Sequence, residues 1–378
     1  MGSRIRRGWC GMAMVGGVCW AAGATAWGAA YTIVDLGTLG GTASGGVTVS
    51  SNGKVAGSST LAGDVDSHAY LYSGGVMTDL GTLGGDSSFA WGVNGSGQVS
   101  GYSFLADNTT QRAFIYTGGT MLVLGTLGGS GSAGNSMNAT GQITGGASMT
   151  GDAETHAFLY NGGPVTDPLI DLGTLGGSGS YGFGINNSGQ VTGNAVTAAG
   201  ETHAFRYTGG PLADLGTLGG NESTGVGINA SGQIAGESNL TANGPSHAFF
   251  YSGGVMNDLH TLGGSSSSGY GINDSGQVVG QSLLADDATM HAFLYTGGPL
   301  IDLNTSIDPL SGWELTSAMG INGVGQITGY GFIDGEQHAF LLTPIAVPLP
   351  GSLWMALPMM GAMGVYKGRR MRGRMAGN

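Results

Sequence analysis

Cysteine is nearly absent, and its placement excludes as much as its scarcity. The chain of 378 residues holds two, Cys10 and Cys19, both within the first twenty positions. Beyond them neither disulfides nor thiolate sites can form. Charge is also scarce: Asp, Glu, Lys and Arg make up 9% of residues, about a third of the usual share. Positive charge is concentrated at the two ends. Of the 11 Lys and Arg, Arg4, Arg6 and Arg7 lie in the first ten residues, and Lys367, Arg369, Arg370, Arg372 and Arg374 in the last twelve. Between them, Lys54, Arg112 and Arg206 are set against all 23 acids, a net charge of −20. A body so acidic repels nucleic acid and anionic membranes, which excludes DNA or RNA binding. Nucleophile elbow, phosphate loop and zinc signature are all missing.

Glycine, by contrast, is abundant, with 79 residues. It follows no G-X-Y period, so the chain is not collagen-like. A hydrophobic share of 40%, with 13 Tyr and 11 Phe, argues against disorder. Regularly placed glycines at this density predict many tight turns between short strands.

The ends read as addresses. Residues 1–30 have the plan of a secretory signal peptide: Arg4, Arg6 and Arg7, then an apolar run from Trp9, then small residues that allow cleavage after Ala26 or Ala30. Residues 344–378 have three parts in order: Val347-Pro348-Leu349-Pro350, an apolar run over 351–366, and the basic cluster of Lys367, Arg369, Arg370, Arg372 and Arg374. The run is slightly short for a permanent span, and its basic flank would stay on the cytoplasmic side. This tail resembles the PEP-CTERM sorting signals of Gram-negative bacteria, in a Val-Pro-Leu-Pro variant. The resemblance implies transient inner-membrane anchoring, removal of the tail by an exosortase-type protease, and delivery to the cell surface or matrix. An ordinary transmembrane segment is the alternative.

Between the ends, over 31–343, three phrases each occur seven times, 43 to 49 residues apart. Asp-Leu-Gly-Thr-Leu-Gly-Gly begins at Asp35, Asp79, Val123, Asp171, Asp214 and Asp258, with a degenerate copy at Asp302. Ile-Asn-x-Ser-Gly-Gln-Val-x-Gly begins at Val49, Val93, Met137, Ile185, Ile228, Ile272 and Ile321. His-Ala-Phe-Leu-Tyr begins at His68, Arg112, His156, His203, His247, His291 and His338. Such a period suits propeller blades. Polar turns such as Asp274-Ser275-Gly276 and Thr296-Gly297-Gly298 mark two hairpins per repeat, hence four strands, A to D. The body opens with a lone D strand at Tyr31 and ends with a lone C strand at His338. Together these complete one blade. The expectation is an all-β, seven-bladed β-propeller of ~44-residue repeats, closed by the N-terminal strand in the last blade. The phrases also resemble bacterial extracellular HAF repeats, named for the tripeptide at His156-Ala157-Phe158. That resemblance implies a secreted or surface location and no defined activity. Arg112, in place of His, and Asp302-Leu303-Asn304, without the glycines, depart from it.

Few residues suggest chemistry. The repeated His and the Asp of Asp-Leu-Gly read as structural, since Arg112 and Val123 are tolerated in their places. His260 replaces a repeat Gly and reads as incidental. The insertion around Asn304 to Glu314, with Asp308 and Trp313, reads as an anchored loop. The loops joining strands B and C vary most and carry ten acids: Asp64, Asp66, Asp107, Asp152, Glu154, Glu201, Asp286, Asp287, Asp334 and Glu336. Variable loops on a rigid scaffold commonly carry binding. Asp64, Asp66, Asp152, Glu154, Asp286, Asp287, Asp334 and Glu336 are therefore weak calcium candidates, and no other cofactor is implied. The expected function is a non-catalytic binding or structural module for extracellular polysaccharide or a surface protein. A propeller-type glycan hydrolase or lyase is the rival, and it would need two or three carboxylates near the axis.

Overall fold

The structure, a computed structural model, describes residues 30–345. Residues 1–29 of the expected signal peptide and all three parts of the C-terminal signal lie outside the described residues, whereas Ala30, Pro344 and Ile345, placed in those segments, are hydrogen-bonded to the body. Among those described, no helix is long and apolar enough to cross a membrane.

The architecture is all-β, built of four-stranded antiparallel sheets in the manner of a β-propeller. Units 1 to 6 occupy residues 40–79, 84–123, 128–171, 176–214, 223–258 and 263–302. The seventh takes its first three strands from Glu314–Ile321, Ile327–Ile333 and Glu336–Pro344. Its fourth is Tyr31–Asp35, paired antiparallel from Tyr31↔Pro344 to Asp35↔Phe340. A single parallel contact, Ala43 to Gln337, links units 7 and 1 into one hydrogen-bonded sheet. First strands of successive units touch, and those of units 7 and 1 touch likewise.

Each repeated phrase has a packing task. The phenylalanine of His-Ala-Phe is fully buried at Phe114, Phe158, Phe205, Phe249, Phe293 and Phe340, and Tyr70 takes that place in unit 1. These rings lie against the glycine that ends Gln-Val-x-Gly. At Gly236 a Cβ would collide with the Thr224 carbonyl oxygen and the edge of Phe249, and Gly101, Gly145, Gly193 and Gly280 are equally confined. The glycine and the phenylalanine therefore specify one another.

Hydrogen bonds then join unit to unit. A first-strand serine (Ser44, Ser88, Ser132, Ser180, Ser223 or Ser267) accepts the backbone N–H of the preceding unit's His-Ala-Phe alanine at 2.8–3.1 Å. The same hydroxyls donate to carbonyls of the Asp-Leu-Gly connection, as Ser88 does to Gly81 at 2.6 Å. The asparagine of Ile-Asn-x-Ser bridges units at the turn between first and second strands. Asn138, Asn186, Asn229 and Asn273 each donate to the next unit's asparagine carbonyl, and Asn322 donates to Ser50, all at 2.9–3.1 Å. These amides are buried, where an unpaired polar group is costly.

The insertion before unit 7 forms a short 3-10 turn over Leu303–Thr305. Asn304 pins it by accepting from Leu315 N and donating to Leu315 O, and Trp313 packs edge-on to Phe340 at 6.1 Å.

Candidate functional site

A cavity of about 330 Å³ is lined by the first strands of all seven units. What enters it is decided by a β-bulge. Every first strand slips register against the second at the same place, between Gly46 and Thr48 in unit 1 and between Ala318 and Gly320 in unit 7. Units 2 to 6 slip alike at Ala90/Gly92, Gly134/Ser136, Gly182/Gly184, Gly225/Gly227 and Gly269/Gly271. The skipped residue has no partner in the ladder, and bulges of this kind re-aim side chains beside functional sites. The seven skipped residues are Val47, Trp91, Asn135, Phe183, Val226, Tyr270 and Met319, and all seven line the cavity. Six residue types at seven equivalent positions contrast with flanks that are nearly invariant glycine, alanine, serine or threonine.

The lining is mostly apolar and uncharged: aliphatic side chains such as Val47, Ile185, Val226 and Met319 surround Trp91, Tyr102, Phe183 and Tyr270, with Asn135, Ser136 and Thr48 as polar groups, and no carboxylate lines it. Burial pushes the Tyr270 phenol up to about 12, with the Glu237 carboxylate adding to the effect. Glu237 itself accepts from Ser268 Oγ at 2.5 Å. Burial likewise raises Tyr102, which stacks on Phe89 at 5.1 Å between centroids. A second cavity of about 430 Å³ shares Val47, Trp91 and Met319 with the first and runs out over Gly45 and Gly46, between Phe89 and Tyr330. Unit 1 has no side chains at those two positions, so the space there stays open.

Sequence reasoning placed binding on the acidic loops and missed this lining. The signal was one variable position, two residues before each Ile-Asn-x-Ser phrase, between small residues. Period-2 alternation gives no hint that this residue is skipped in the ladder, so its direction is not readable from the strand pattern.

The acidic loop residues are spread over separate units, and several are engaged within their own loop or by the first strand of their own unit. Asp64 accepts from Thr60 Oγ1 at 2.6 Å and Thr42 N at 2.7 Å. Asp152 and Asp287 accept from Ser130 N and Ser265 N, both at 2.5 Å. Asp64, Asp152, Asp287 and Asp334 all turn their loops with positive φ. Asp107 and Asp286 close Asx-turns: the hydroxyls of Thr110 and Thr289, followed by backbone N–H groups, hold each carboxyl at about 2. The Thr60 hydroxyl lowers Asp64, and the backbone N–H of Ser130 lowers Asp152. Glu154, Glu201 and Glu336 lie 3.6–3.8 Å from Nε2 of His156, His203 and His338. Asp66 is half-buried where its loop enters the third strand.

Each repeat histidine meets the aspartate of its own unit's Asp-Leu-Gly. Nδ1 lies 2.7–2.9 Å from the carboxylate in the pairs His68–Asp79, His156–Asp171, His203–Asp214, His247–Asp258, His291–Asp302 and His338–Asp35. The same carboxylates accept the N–H two residues on, at 2.7–2.9 Å. In unit 2 both partners are replaced, by Arg112 and Val123, so the two exceptions in the repeat are one event. In unit 5, His260 joins the pair, with Nδ1 3.2 Å from Asp258. His247, Asp258 and His260 are the one group among the described residues able to offer three metal ligands together.

No family model matches the chain, and no curated protein matches it. Among solved structures, a Mycobacterium tuberculosis puromycin-hydrolyzing peptidase superposes with a TM-score of 0.51 at 13% identity, over 81% of this chain and 53% of that one. TolB from Acinetobacter baumannii gives 0.46 at 13% identity, over 79% and 65%. A fungal lectin, the six-bladed β-propeller Aleuria aurantia lectin, gives 0.28 at 14%, over 68% and 95%. The chain thus spans about half of the peptidase and just under two thirds of TolB. Identities this low speak to fold alone, and the superpositions on TolB and the lectin are too loose to carry an argument.

Proposed function

We propose that the chain is a closed seven-bladed β-propeller that acts as a non-catalytic binding module, taking a segment of extracellular polysaccharide into its central cavity. The observation that carries this reading is the set of seven bulge residues. Aromatic rings with a few hydroxyls and one amide suit a ligand with an apolar face and a polar rim, as a pyranose ring has. A lining without carboxylates favours binding over the paired acid–base chemistry of glycan cleavage. Closure is supported by the pairing of Tyr31–Asp35 with the last strand and by the Asn322 bond to Ser50.

Delivery to the cell surface belongs to the same proposal and rests on the terminal motifs. It entails a secretory signal, transient inner-membrane anchoring and exosortase-type removal of the tail beyond Val347-Pro348-Leu349-Pro350. The acidic loop face, with a Ca²⁺ contribution, is the second surface through which matrix or a surface protein could be held.

The test is retention of the purified chain on the producing organism's own extracellular polysaccharide, with and without Ca²⁺, while newly formed reducing ends are measured. Retention that falls in Trp91→Ala, without new ends, supports the reading. New reducing ends overturn it in favour of a hydrolase or lyase. Retention that follows Ca²⁺ and ignores Trp91 moves the site to the loops.

A further inference from the structure

Unit 5 differs from its siblings at one point, and the difference has chemical content. In the Asp-Leu-Gly connection, the residue after leucine is glycine in units 1 to 4 and in the N-terminal copy, and wherever the aspartate is present (Gly37, Gly81, Gly173, Gly216) its φ is +69 to +76°. In unit 5 it is His260, held at φ +62°. The other non-glycine residues at positive φ are all Asp or Asn, which tolerate that region best. His260 adopts the glycine conformation, and there its Nδ1 reaches Asp258 at 3.2 Å while its ring meets His247 edge-on at 6.2 Å.

We propose that His247, Asp258 and His260 form a binding site for a divalent transition metal of the Zn²⁺ class. The three ligand atoms lie within 4.8 Å of one another. Tetrahedral Zn²⁺ with bonds of about 2.0–2.1 Å needs ligand atoms separated by roughly 3.3 Å. From one oxygen of Asp258, Oδ2, the observed separations are 3.0 Å to His247 Nδ1 and 3.2 Å to His260 Nδ1. Two imidazoles and a carboxylate are a donor set that suits zinc, copper, nickel or iron rather than calcium. His247 is mostly buried and fixed by its strand, whereas the His260 side chain is 78% exposed. One side of the site therefore faces solvent, where water can complete the coordination. For the metal to enter, each ring must be neutral with its hydrogen on Nε2, which leaves both Nδ1 lone pairs to the ion.

The other units lack this convergence. In units 3, 4 and 7 the second carboxylate approaches Nε2, the opposite side of the ring from the Asp-bound Nδ1. Two acids on opposite nitrogens cannot meet at one ion. In unit 1 only His68 and Asp79 are present.

Titration of the full chain with ZnCl₂, followed by calorimetry and by metal analysis after gel filtration, tests the assignment. The wild type is expected to hold a Zn²⁺ that His260→Gly loses, a substitution that restores the repeat residue. Loss of an outer-shell partner alone weakens metal sites by about 10–100-fold; loss of a ligand should cost at least about tenfold. Unaltered Zn²⁺ affinity in His260→Gly, or no saturable binding to the wild type, overturns the site. Should His260→Gly prove misfolded by its unfolding profile without metal, Gly81→His decides. That change places a histidine beside His68 and Asp79, at a φ of +69° with open space around the Cβ position. One additional Zn²⁺ per chain supports the proposal, and none overturns it.

Discussion

The inner strands and the third strands of this molecule are repeated equally often, yet they have diverged in opposite ways. At the bulge of the inner strand the seven units carry Val47, Trp91, Asn135, Phe183, Val226, Tyr270 and Met319. At the start of the third strand six of seven carry the same histidine, bound to the same aspartate. Constancy marks the contacts that fix a unit's shape, because each is made with another constant residue. Variation marks a position without a partner in the ladder, where packing does not dictate the side chain. The loops that vary in sequence are less free than they look, since several of their carboxylates bond to their own turn or to the unit's first strand.

Substitutions can break this contrast, and the constant contacts should respond most. Phe249→Ala empties a fully buried ring site and is expected to cost about 3–5 kcal/mol, read as a shift of the urea midpoint. Gly236→Ala presses a methyl group into the Thr224 carbonyl and should cost about 1–3 kcal/mol or more. Asn229→Ala removes a buried amide that bridges units 5 and 6, leaving the Asn273 carbonyl without it. A loss of about 1–3 kcal/mol is expected.

Unit 2 sharpens the contrast from the other side. Arg112→His with Val123→Asp rebuilds the missing pair and should gain about 0.5–1.5 kcal/mol. Neither single change should achieve this, and a double-mutant cycle measures the coupling. Additive single effects would show that the pair is ornamental.

Acid gives a smaller effect. Asp107 and Asp286 titrate at about 2 in the fold, against an ordinary 3.8. As pH falls the unfolded chain binds those protons first, so their stabilisation is complete above about pH 4 and is lost between pH 4 and 2. Asp286→Asn should flatten the fall of the unfolding temperature over that window. Trp91→Ala should affect stability least, because the side chain is 38% exposed, while polysaccharide retention drops. A large loss of stability in Trp91→Ala would assign the residue to the scaffold instead.

Much of the scaffold was legible. The hairpin turns at Asp274-Ser275-Gly276 and Thr296-Gly297-Gly298, the apolar third strand and the unmatched strands at Tyr31 and His338 are local signals. They survive in sequence because turn chemistry and strand alternation act over a few residues. The structural reading of the histidines was available too, from the tolerance of Arg112 and Val123. That these two exceptions belong to one broken pair was not, because 11 residues and a hairpin separate them. The candidate site was hidden for a related reason: a bulge is a property of two strands in register, and neither strand announces it alone.

The sequence by itself determined the repeat, the four-strand unit, the acidic body and the matched fragments at its two ends, all of which follow from short-range pattern and count. Only the tertiary structure decided which residues enter the cavity between the first strands and that His260 stands beside His247 and Asp258. Both are matters of convergence. They depend on the slip of one strand against its neighbour and on a left-handed turn that swings one ring toward another, and such geometry exists only once the units have paired and packed.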